Sequence, residues 1–298
     1  MERSGVTRRD LVESSRDIIL VTGATGRVGR LVIDELLRAG ASVRALARRP
    51  EESAFPSGVD VVTGDFSDPA SLDAALDGTA AVFLVWTASA ATASVVVARI
   101  APRRVVYLSA PFRTPHPFFQ QPNPMRDLHA EVEGLLAAAR LEVAILRPGM
   151  FASNALHWWA PQIRNGDVVR WPNADAATAP VDDRDIAAVA ARVLLDARHA
   201  RGDWVLTGPE ALSQAAQVRI IGEVIGRPLR FDELSPDEFR REAAETWPAG
   251  VADMLLAAWQ ATLGHPAFVT SAVEEIMGSA PRTFHHWAAD NAEAFRRV

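Results

Sequence analysis

Short apolar runs alternate with amphipathic stretches over the first half of this chain. Residues 17–22 form a run rich in Ile, Leu and Val that predicts a buried strand, and residues 28–37 place apolar side chains at helical spacing, which predicts a helix. Parallel strands need crossover helices. The alternation therefore predicts an α/β fold in which helices cover both faces of a doubly wound parallel sheet. The further strands are predicted at 42–47, 59–63, 80–85, 104–109 and 143–146, and the further helices at 91–100 and 127–139.

The alternation ends near Pro148. The pattern then predicts a helix at 183–195 and a strand at 204–207, and from residue 211 onward it favours mostly helices. We therefore expect a smaller, mostly helical C-terminal lobe. Residues 111–124 hold five prolines and three phenylalanines, a composition that excludes a regular element and suits a lid beside a ligand crevice.

Composition excludes several classes of function. The 298 residues carry a formal charge of −6, which gives no sign of a basic face for nucleic acid. The chain has no cysteine, so disulfides and thiolate chemistry are excluded, and no apolar run reaches the length of a membrane span. The first sixteen residues are charged and lack the apolar region of a signal peptide, so we expect a cytoplasmic protein. All basic residues are arginines, and Tyr107 is the single tyrosine.

A glycine-rich turn follows the first strand and opens the first helix. Gly23 permits a tight turn, Gly26 lets a diphosphate approach the backbone, and Gly29 permits close packing of the helix. Backbone N–H groups and the helix dipole favour a phosphate there. The turn therefore predicts a bound dinucleotide, and the alternative is a strand–helix turn that binds no ligand. Its other predicted ligand contacts are Thr25, Arg27 and Val28.

The end of the second strand distinguishes NAD from NADP. An NAD-binding protein usually offers a carboxylate there to the ribose 2′-hydroxyl, whereas this sequence offers Arg44, Arg48 and Arg49. Guanidinium groups bind a 2′-phosphate bidentately, so the sequence predicts NADP(H). The alternative is that these arginines form a solvated surface run. After the third strand, Asp65 could accept a hydrogen bond from the adenine amino group, or it could serve only as a helix cap.

Seven segments carry a resemblance to a known family. They are VTGATGRVGR (21–30), VRALARRP (43–50), GDFSDPASL (64–72), VVYLSA (105–110), HAEVEGLL (129–136), AILRPGMFASN (144–154) and PVDDRDIAAVAARVL (180–194). With them the chain resembles the NmrA-like, atypical branch of the short-chain dehydrogenase/reductase superfamily over about residues 18–233. The resemblance implies a Rossmann fold, NADP(H) at the carboxyl edge of the sheet with Arg48 on its 2′-phosphate, and a substrate cleft between two lobes. Members include quinone, dye, iminium and isoflavone-type reductases, and regulators that bind dinucleotide without turnover.

The catalytic pair of the wider superfamily is absent. Typical members use Tyr-x-x-x-Lys, which this chain cannot form because it has no lysine. Many relatives carry a lysine on the helix after the fifth strand, and this chain has His129 at that place, four residues before Glu133. Positions i and i+4 share a helix face, so the carboxylate could orient the imidazole. His129 is a candidate for holding the nicotinamide ribose or transferring a proton, and Ser109 is the second catalytic candidate. The alternative for His129 is an ordinary helix–helix hydrogen bond.

Residues just past the strands complete the predicted site. An aromatic and apolar lining suits a flat, apolar acceptor. Trp158 and Trp159, by contrast, are expected in the core or at an interface. No metal site is indicated, since no third ligand stands at a suitable spacing from the histidine. The further cofactor candidates are Phe66, Val85, Trp86, Thr87 and Pro148, and the substrate candidates are Phe112, Met150, Phe151, Asn154 and His157.

The predicted organisation has three parts. An N-terminal extension occupies 1–16, a dinucleotide-binding domain occupies 17–150 with 181–208 returning to it, and a substrate lobe occupies 151–180 and 209–298. The predicted function is NADPH-dependent reduction of a small apolar quinone, imine or enone, because such activated acceptors need little acid assistance. Two alternatives stay open, a non-catalytic NADP(H) sensor and a redox-neutral cyclase or epimerase. The expected partner is a small-molecule substrate, with no nucleic acid and no membrane, and a homodimer is left open.

Overall fold

The computed structural model describes residues 18–101 and 103–297, with Pro124 described by its backbone alone. The predicted extension at 1–16 lies outside these residues, as does Asp17 of the first predicted strand. The described chain divides into two compact units. The first unit contains residues 18–109, 127–146 and 186–204, and the second contains 110–126, 147–185 and 205–297. The segment 110–126 thus groups with the second unit, whereas the sequence predicts it within the dinucleotide-binding domain.

The strands of the described chain are β1 (Ile18–Val21), β2 (Val43–Ala47), β3 (Val59–Thr63), β4 (Thr79–Val85), β5 (Arg104–Leu108), β6 (Val143–Pro148), β7 (Val168–Trp171), β8 (Ala177–Thr178), β9 (Gly202–Leu206), β10 (Leu212–Ser213) and β11 (Arg230–Glu233). Seven of them form one sheet in the order β3-β2-β1-β4-β5-β6-β9, and the pairings among the first six strands of this order are parallel. The predicted doubly wound Rossmann sheet is confirmed, and β9 lies at its edge.

Helices follow most strands, as the alternating pattern predicts. One helix starts earlier than its pattern indicates, because Pro124 occupies its first turn, where the missing N–H of proline costs nothing. The α-helices of the described chain are α1 (Arg27–Arg38), α2 (Asp73–Leu76), α3 (Ala93–Ile100), α4 (Pro124–Ala138), α5 (Asn154–Trp158), α6 (Ala160–Asn165), α7 (Asp183–Leu195), α8 (Gln214–Val224), α9 (Pro236–Ala243), α10 (Val251–Gln260), α11 (Ala272–Met277) and α12 (Phe284–Asp290). No described helix is long and apolar enough to cross a membrane.

The core of the first unit follows from its hydrophobic pattern. Helix α1 turns Val32, Ile33 and Leu36 inward, and all three are buried. Strand β4 is apolar on both faces and buried through most of its length, as expected for a central parallel strand. These side chains hold the carboxyl ends of β1, β2 and β4 in fixed positions.

The second unit has its own core, which is rich in aromatic residues. Trp159 and Trp259 are almost fully buried, and Trp158 stacks on Trp171 with 5.7 Å between ring centroids. Trp158, which ends α5, and the adjacent Trp159 therefore belong to packing, which agrees with the expectation from sequence. This unit also contains two small sheets, β7 with β11 and β8 with β10, so it is less exclusively helical than its sequence pattern indicates.

The proline-rich segment is ordered by local hydrogen bonds. The composition predicts no regular element, but residues Pro117–Gln120 form one turn of 3-10 helix. His116 Nδ1 accepts a hydrogen bond from the Phe118 N–H, and the Gln120 side-chain amide donates to the carbonyls of Phe112 and Thr114. The segment therefore has a defined shape, and its role as a lid stays a prediction.

Candidate active site

The glycine turn between β1 and α1 leaves one face of its backbone open. Gly23 has a φ of +60°, and a Cβ there would lie 2.9 Å from the Val85 Cβ. A Cβ on Gly29 would lie 2.2 Å from the Gly23 carbonyl oxygen, so only glycine permits this packing. A Cβ on Gly26 would meet a single protein atom, the Gly23 oxygen at 3.2 Å. The space above Gly26 is therefore available to a ligand.

The electrostatics of the turn suit an anion. Helix α1 begins at Arg27, has no side-chain cap and has no acidic residue in its first turn. Its first N–H groups have no partner within the helix, and the positive end of the helix dipole lies at this point. The residues therefore fit the diphosphate of a dinucleotide. Thr25, Gly26 and Arg27 form the exposed rim of the turn, as the predicted contacts require.

Strand β4 is tied to the turn by Thr22. The Thr22 hydroxyl donates to the Phe83 carbonyl (3.0 Å) and accepts from the Val85 N–H (2.8 Å). Val85, a predicted cofactor contact, thus lies directly against Gly23. The sequence pattern does not indicate the role of Thr22, which fixes the distance between the carboxyl ends of β1 and β4.

The three arginines at β2 have different environments. Arg44 pairs with Asp60 (2.6 Å) and donates to the carbonyls of Ala74, Ala75 and Asp77, so it is a structural residue. Arg49 is exposed and pairs with Glu52 (2.7 Å). Arg48 is also exposed, and within the described chain its side chain has no recorded hydrogen bond or ion pair. Of the three, Arg48 is the one whose guanidinium is available for a phosphate.

Arg30 connects the turn to the loop after β2, a role that the sequence pattern does not reveal. Its Nε donates to the Thr25 carbonyl and its Nη1 to the Ala54 carbonyl, at 3.1 and 2.8 Å. The guanidinium lies over the Phe55 ring, 5.7 Å from its centroid. A cation directly behind the turn adds positive potential to the anion site.

The residues after β3 and β4 form a second border of this region. Asp65 Oδ1 accepts from the Ser67 N–H (2.8 Å), the local turn that the sequence allows as an alternative to adenine binding. Phe66 and Trp86 are both buried and stack at 5.0 Å, so these two predicted contacts present chiefly backbone. Thr87 is exposed at the end of β4.

Two hydrogen-bonded pairs connect β5 and its end to α4. The Tyr107 hydroxyl lies 2.7 Å from His129 Nδ1, and the Ser109 hydroxyl donates to Glu133 Oε1 at 2.5 Å. Tyr107, Ser109 and Glu133 are buried, whereas His129 is half-buried. The sequence predicts a His129–Glu133 pair and treats Tyr107 only as a sheet residue. The position of Tyr107 in the strand facing α4 is the signal that identifies it as a partner of His129.

In the second unit, Arg147 and Phe112 form a buried contact. The Arg147 guanidinium lies 5.0 Å from the Phe112 ring centroid, and its Nη1 donates to the Ala110 carbonyl (2.8 Å). Pro148, which follows at the end of β6, is buried. Phe112 thus serves packing as well as any contact with a ligand.

A small cavity, open to solvent and with room for about one water molecule, lies within the second unit and is called the second-unit cavity below. It includes Met150, a predicted substrate contact, whose Sδ accepts from the Asn154 amide (3.0 Å). Phe151 pairs with Val181 through a β-bridge, and His157 is exposed and does not line this cavity. The cavity is lined by His116, Phe118, Phe119, Gly149, Met150, Ala177, Thr178, Ala179, Thr207 and Phe268.

An acidic cluster anchors the start of α7. Asp182 accepts from Arg282 Nε (2.7 Å), and Asp185 accepts from the Arg282 backbone N–H (2.8 Å). Burial raises the pKa of Asp185 to about 6, and this effect is opposed by the hydrogen bond from the Arg282 N–H. The cluster is structural, because both carboxylates are held by Arg282. Within the described residues, no group of three or more His, Asp or Glu side chains could hold a metal.

A family model and several curated proteins are similar to this chain over most of its length. The model of the NmrA-like family matches residues 15–284. A (4-alkanoyl-5-oxo-2,5-dihydrofuran-3-yl)methyl phosphate reductase from Streptomyces griseus is 40% identical over 291 residues, covering 93% of this chain and 99% of that protein. An NAD(P)H azoreductase from Xenophilus azovorans is 27% identical, with coverage of 93% and 99%.

The solved structures agree with the sequence relatives. The NADPH complex of an NADPH-dependent quinone oxidoreductase from Escherichia coli matches with a TM-score of 0.76 and 25% identity, covering 92% of this chain and 99% of that one. The family model spans most of the chain, and the Streptomyces relative is similar over nearly its entire length. The chain therefore belongs to the NmrA-like family.

Proposed function

We propose that this NAD(P)H-dependent reductase acts on an electron-poor carbon–carbon double bond conjugated to a carbonyl, in a small acceptor of the acylated unsaturated lactone type. The observation that carries the proposal is the 40% identity, over almost both full lengths, to a reductase of an alkanoyl-oxo-dihydrofuran phosphate. Among the acceptors expected from sequence, it favours the enone over the quinone and the imine.

The cofactor region of the first unit supports NADPH as the reductant. The open face at Gly26 and the uncapped start of α1 would hold the diphosphate, and Arg48 would hold the 2′-phosphate. A bound NADPH would supply the hydride for the carbon β to the carbonyl. The protein contributes position and exclusion of water.

A hydrogen-bonded pair stands in place of Tyr-x-x-x-Lys. When the Tyr107 hydroxyl donates to His129 Nδ1, the second ring nitrogen carries the proton and can donate a hydrogen bond to the acceptor carbonyl. Hydride addition turns an enone into an enolate, which this hydrogen bond stabilises and which takes its proton at the α carbon from water, so it needs only modest assistance. A plain ketone becomes an alkoxide and needs a stronger donor.

A quinone is the second candidate acceptor. The Escherichia coli quinone oxidoreductase has the same fold at a TM-score of 0.76. A quinone gains aromaticity on reduction and likewise needs little acid assistance. The two acceptors therefore have to be separated by experiment.

The test compares three acceptors of similar size, an acyl unsaturated lactone, a quinone and a plain ketone. We expect NADPH consumption to be fastest with the lactone. With NADPH deuterated at its transferable position, NMR of the product should show deuterium on the ring carbon β to the carbonyl. Deuterium on a carbonyl carbon, or faster turnover of the quinone, would contradict the proposal. Cofactor binding without consumption would favour a sensor, and lactone conversion without net oxidation would favour a redox-neutral enzyme.

The phosphate of the Streptomyces relative's substrate gives one further comparison. Because the chain has no lysine, arginine is the side chain best suited to pair with a phosphate handle on the acceptor. Phosphorylated and unphosphorylated lactones should therefore be assayed side by side. The ratio of their kcat/KM values measures whether this chain requires the phosphate.

A further inference from the structure

Arg30 joins the glycine turn to the loop that follows β2, which comprises residues 48–56 and is called the β2 loop below. Its Nε donates to the Thr25 carbonyl in the turn, and its Nη1 donates to the Ala54 carbonyl in the loop. Within the part of the chain that the structure describes, no other recorded hydrogen bond joins the turn or α1 to this loop. One guanidinium therefore sets the separation of these two backbone segments.

Close packing does not fix the β2 loop against α1 here. A groove of about 330 Å³, open to solvent, lies between the helix and the loop. Arg30 spans this groove, and its guanidinium lies over the Phe55 ring, 5.7 Å from the centroid. The position of the loop relative to the turn therefore depends on Arg30 rather than on close contact with the helix. The groove is lined by Arg30, Ile33, Asp34, Ala54, Phe55 and Pro56.

Arg48 opens the β2 loop, directly after strand β2. One turn of 3-10 helix at Pro50–Glu52 follows, and the Ser53 N–H donates to the Pro50 carbonyl at its end (3.1 Å). Ala54 comes next, so the bond from Arg30 holds the far end of the short segment that starts at Arg48. Both ends of this segment are therefore held, one by the sheet and the other by Arg30.

We infer that Arg30 is a positioning residue for cofactor selectivity, which keeps Arg48 at the separation from the glycine turn that suits the 2′-phosphate and the diphosphate of one NADPH. The inference rests on the proposed function, in which Arg48 and the turn hold these two groups. NADH lacks the 2′-phosphate, so a displaced β2 loop weakens NADPH binding more than NADH binding. The ratio of the Kd for NADH to the Kd for NADPH isolates this effect, because a change at the diphosphate alone alters both values equally.

Two substitutions of Arg30 separate its hydrogen bonds from its charge. Arg30→Met removes both, whereas Arg30→Lys keeps the charge but lacks the rigid planar group whose two nitrogens bond the two carbonyls. The positioning effect is worth about one hydrogen bond, so the Kd ratio should fall about fivefold in Arg30→Met and nearly as far in Arg30→Lys. Arg38→Met is the matched control, since it removes an exposed cation that pairs with Glu35 on the same helix. Its Kd ratio should equal that of the wild type.

A double variant tests whether Arg30 acts through Arg48. In the Arg48→Ala background, Arg30→Lys should leave the Kd ratio unchanged, because the residue that it positions is gone. Calorimetric titration of the full-length protein with NADPH and with NADH gives every Kd. A wild-type ratio in Arg30→Lys, or an equal fall with and without Arg48, would overturn the inference.

Failure of the proposed function gives a different result. If Arg48 did not bind the 2′-phosphate, Arg48→Ala alone would leave the Kd ratio unchanged. The inference alone fails when Arg48→Ala lowers the ratio and Arg30→Lys does not. The identity of the acceptor has no influence on these titrations, because they contain none.

Discussion

The glycine turn of the first unit is built from seven consecutive residues, whereas the second-unit cavity takes its walls from five separate segments of the chain. In the turn, backbone N–H groups form the predicted binding surface, and the positive φ of Gly23 shapes it. Glycines are needed there because a Cβ would clash or enter the ligand space. In the cavity, aromatic rings form much of the surface, and polar side chains such as His116 and Thr207 are already hydrogen-bonded to protein groups.

This difference has a physical reason. A diphosphate is small, rigid and doubly charged, so a local arrangement of amides and a helix dipole can bind it. An apolar cavity offers no directional contacts, so its shape depends on side chains that come from segments distant in sequence. Cofactor binding at the turn should therefore be lost when a single added Cβ blocks the backbone. The shape of the cavity should change only gradually with the volume of each lining side chain.

The largest effect is expected for Gly29→Ala in the glycine turn. The added Cβ would lie 2.2 Å from the Gly23 carbonyl oxygen, so the turn must move. We expect a loss of about 3 kcal/mol in the free energy of unfolding, together with loss of NADPH binding. Denaturant unfolding and cofactor titration measure the two effects.

Gly26→Ala is the matched variant in the same turn. Its Cβ meets one backbone oxygen at 3.2 Å and otherwise enters the space assigned to the diphosphate. We expect nearly normal stability and about tenfold weaker NADPH binding. If both alanine variants bound NADPH like the wild type, the assignment of the turn as the cofactor site would be wrong.

A somewhat smaller effect is expected for Arg48→Ala. Loss of charge-assisted hydrogen bonds to the 2′-phosphate should cost about 2 kcal/mol, so the Kd for NADPH should rise about thirtyfold. The Kd for NADH, which lacks this phosphate, should stay unchanged. Arg49→Ala is the control, because Arg49 already pairs with Glu52. Equal losses for the two cofactors would exclude a specific role for Arg48.

The same contrast explains what could be predicted from sequence. The seven-residue turn, the alternating strands and the end of β2 are local patterns, so the fold and the cofactor region could be inferred directly. The choice among Arg44, Arg48 and Arg49 could not, because it depends on Asp60 and on carbonyl groups near residue 75. The Tyr107–His129 pair and the second-unit cavity likewise join residues that are far apart in sequence.

In the second unit, Asp185→Asn should change how stability depends on pH. Burial raises the pKa of Asp185 from 3.8 to about 6 in the folded protein, so between these values the folded state binds more protons than the unfolded state. Stability contributed by this group is therefore full at low pH and is lost as pH rises through about 6.

Asparagine can still accept the hydrogen bond from the Arg282 N–H but does not titrate. Between pH 4 and pH 7, the variant should gain about 2 kcal/mol in the free energy of unfolding relative to the wild type. Urea unfolding at several pH values measures the difference. If the free energies of unfolding of the variant and the wild type differed by a constant amount across this pH range, Asp185 would not titrate there.

The smallest effect is expected for Tyr107→Phe, which tests whether a buried sheet residue serves the chemistry of the first unit. Phenylalanine fills the same space and removes only the hydroxyl that bonds His129 Nδ1. A neutral hydrogen bond is worth about 1 kcal/mol, so kcat should fall about fivefold with the Kd for NADPH unchanged. Loss of a donor to the neutral imidazole favours the charged ring, so the midpoint of the kcat pH profile should move upward. A purely structural tyrosine would change stability and leave this profile unmoved, and that result would show that the Tyr107 hydroxyl serves only packing in β5 and does not support His129 as a hydrogen-bond donor.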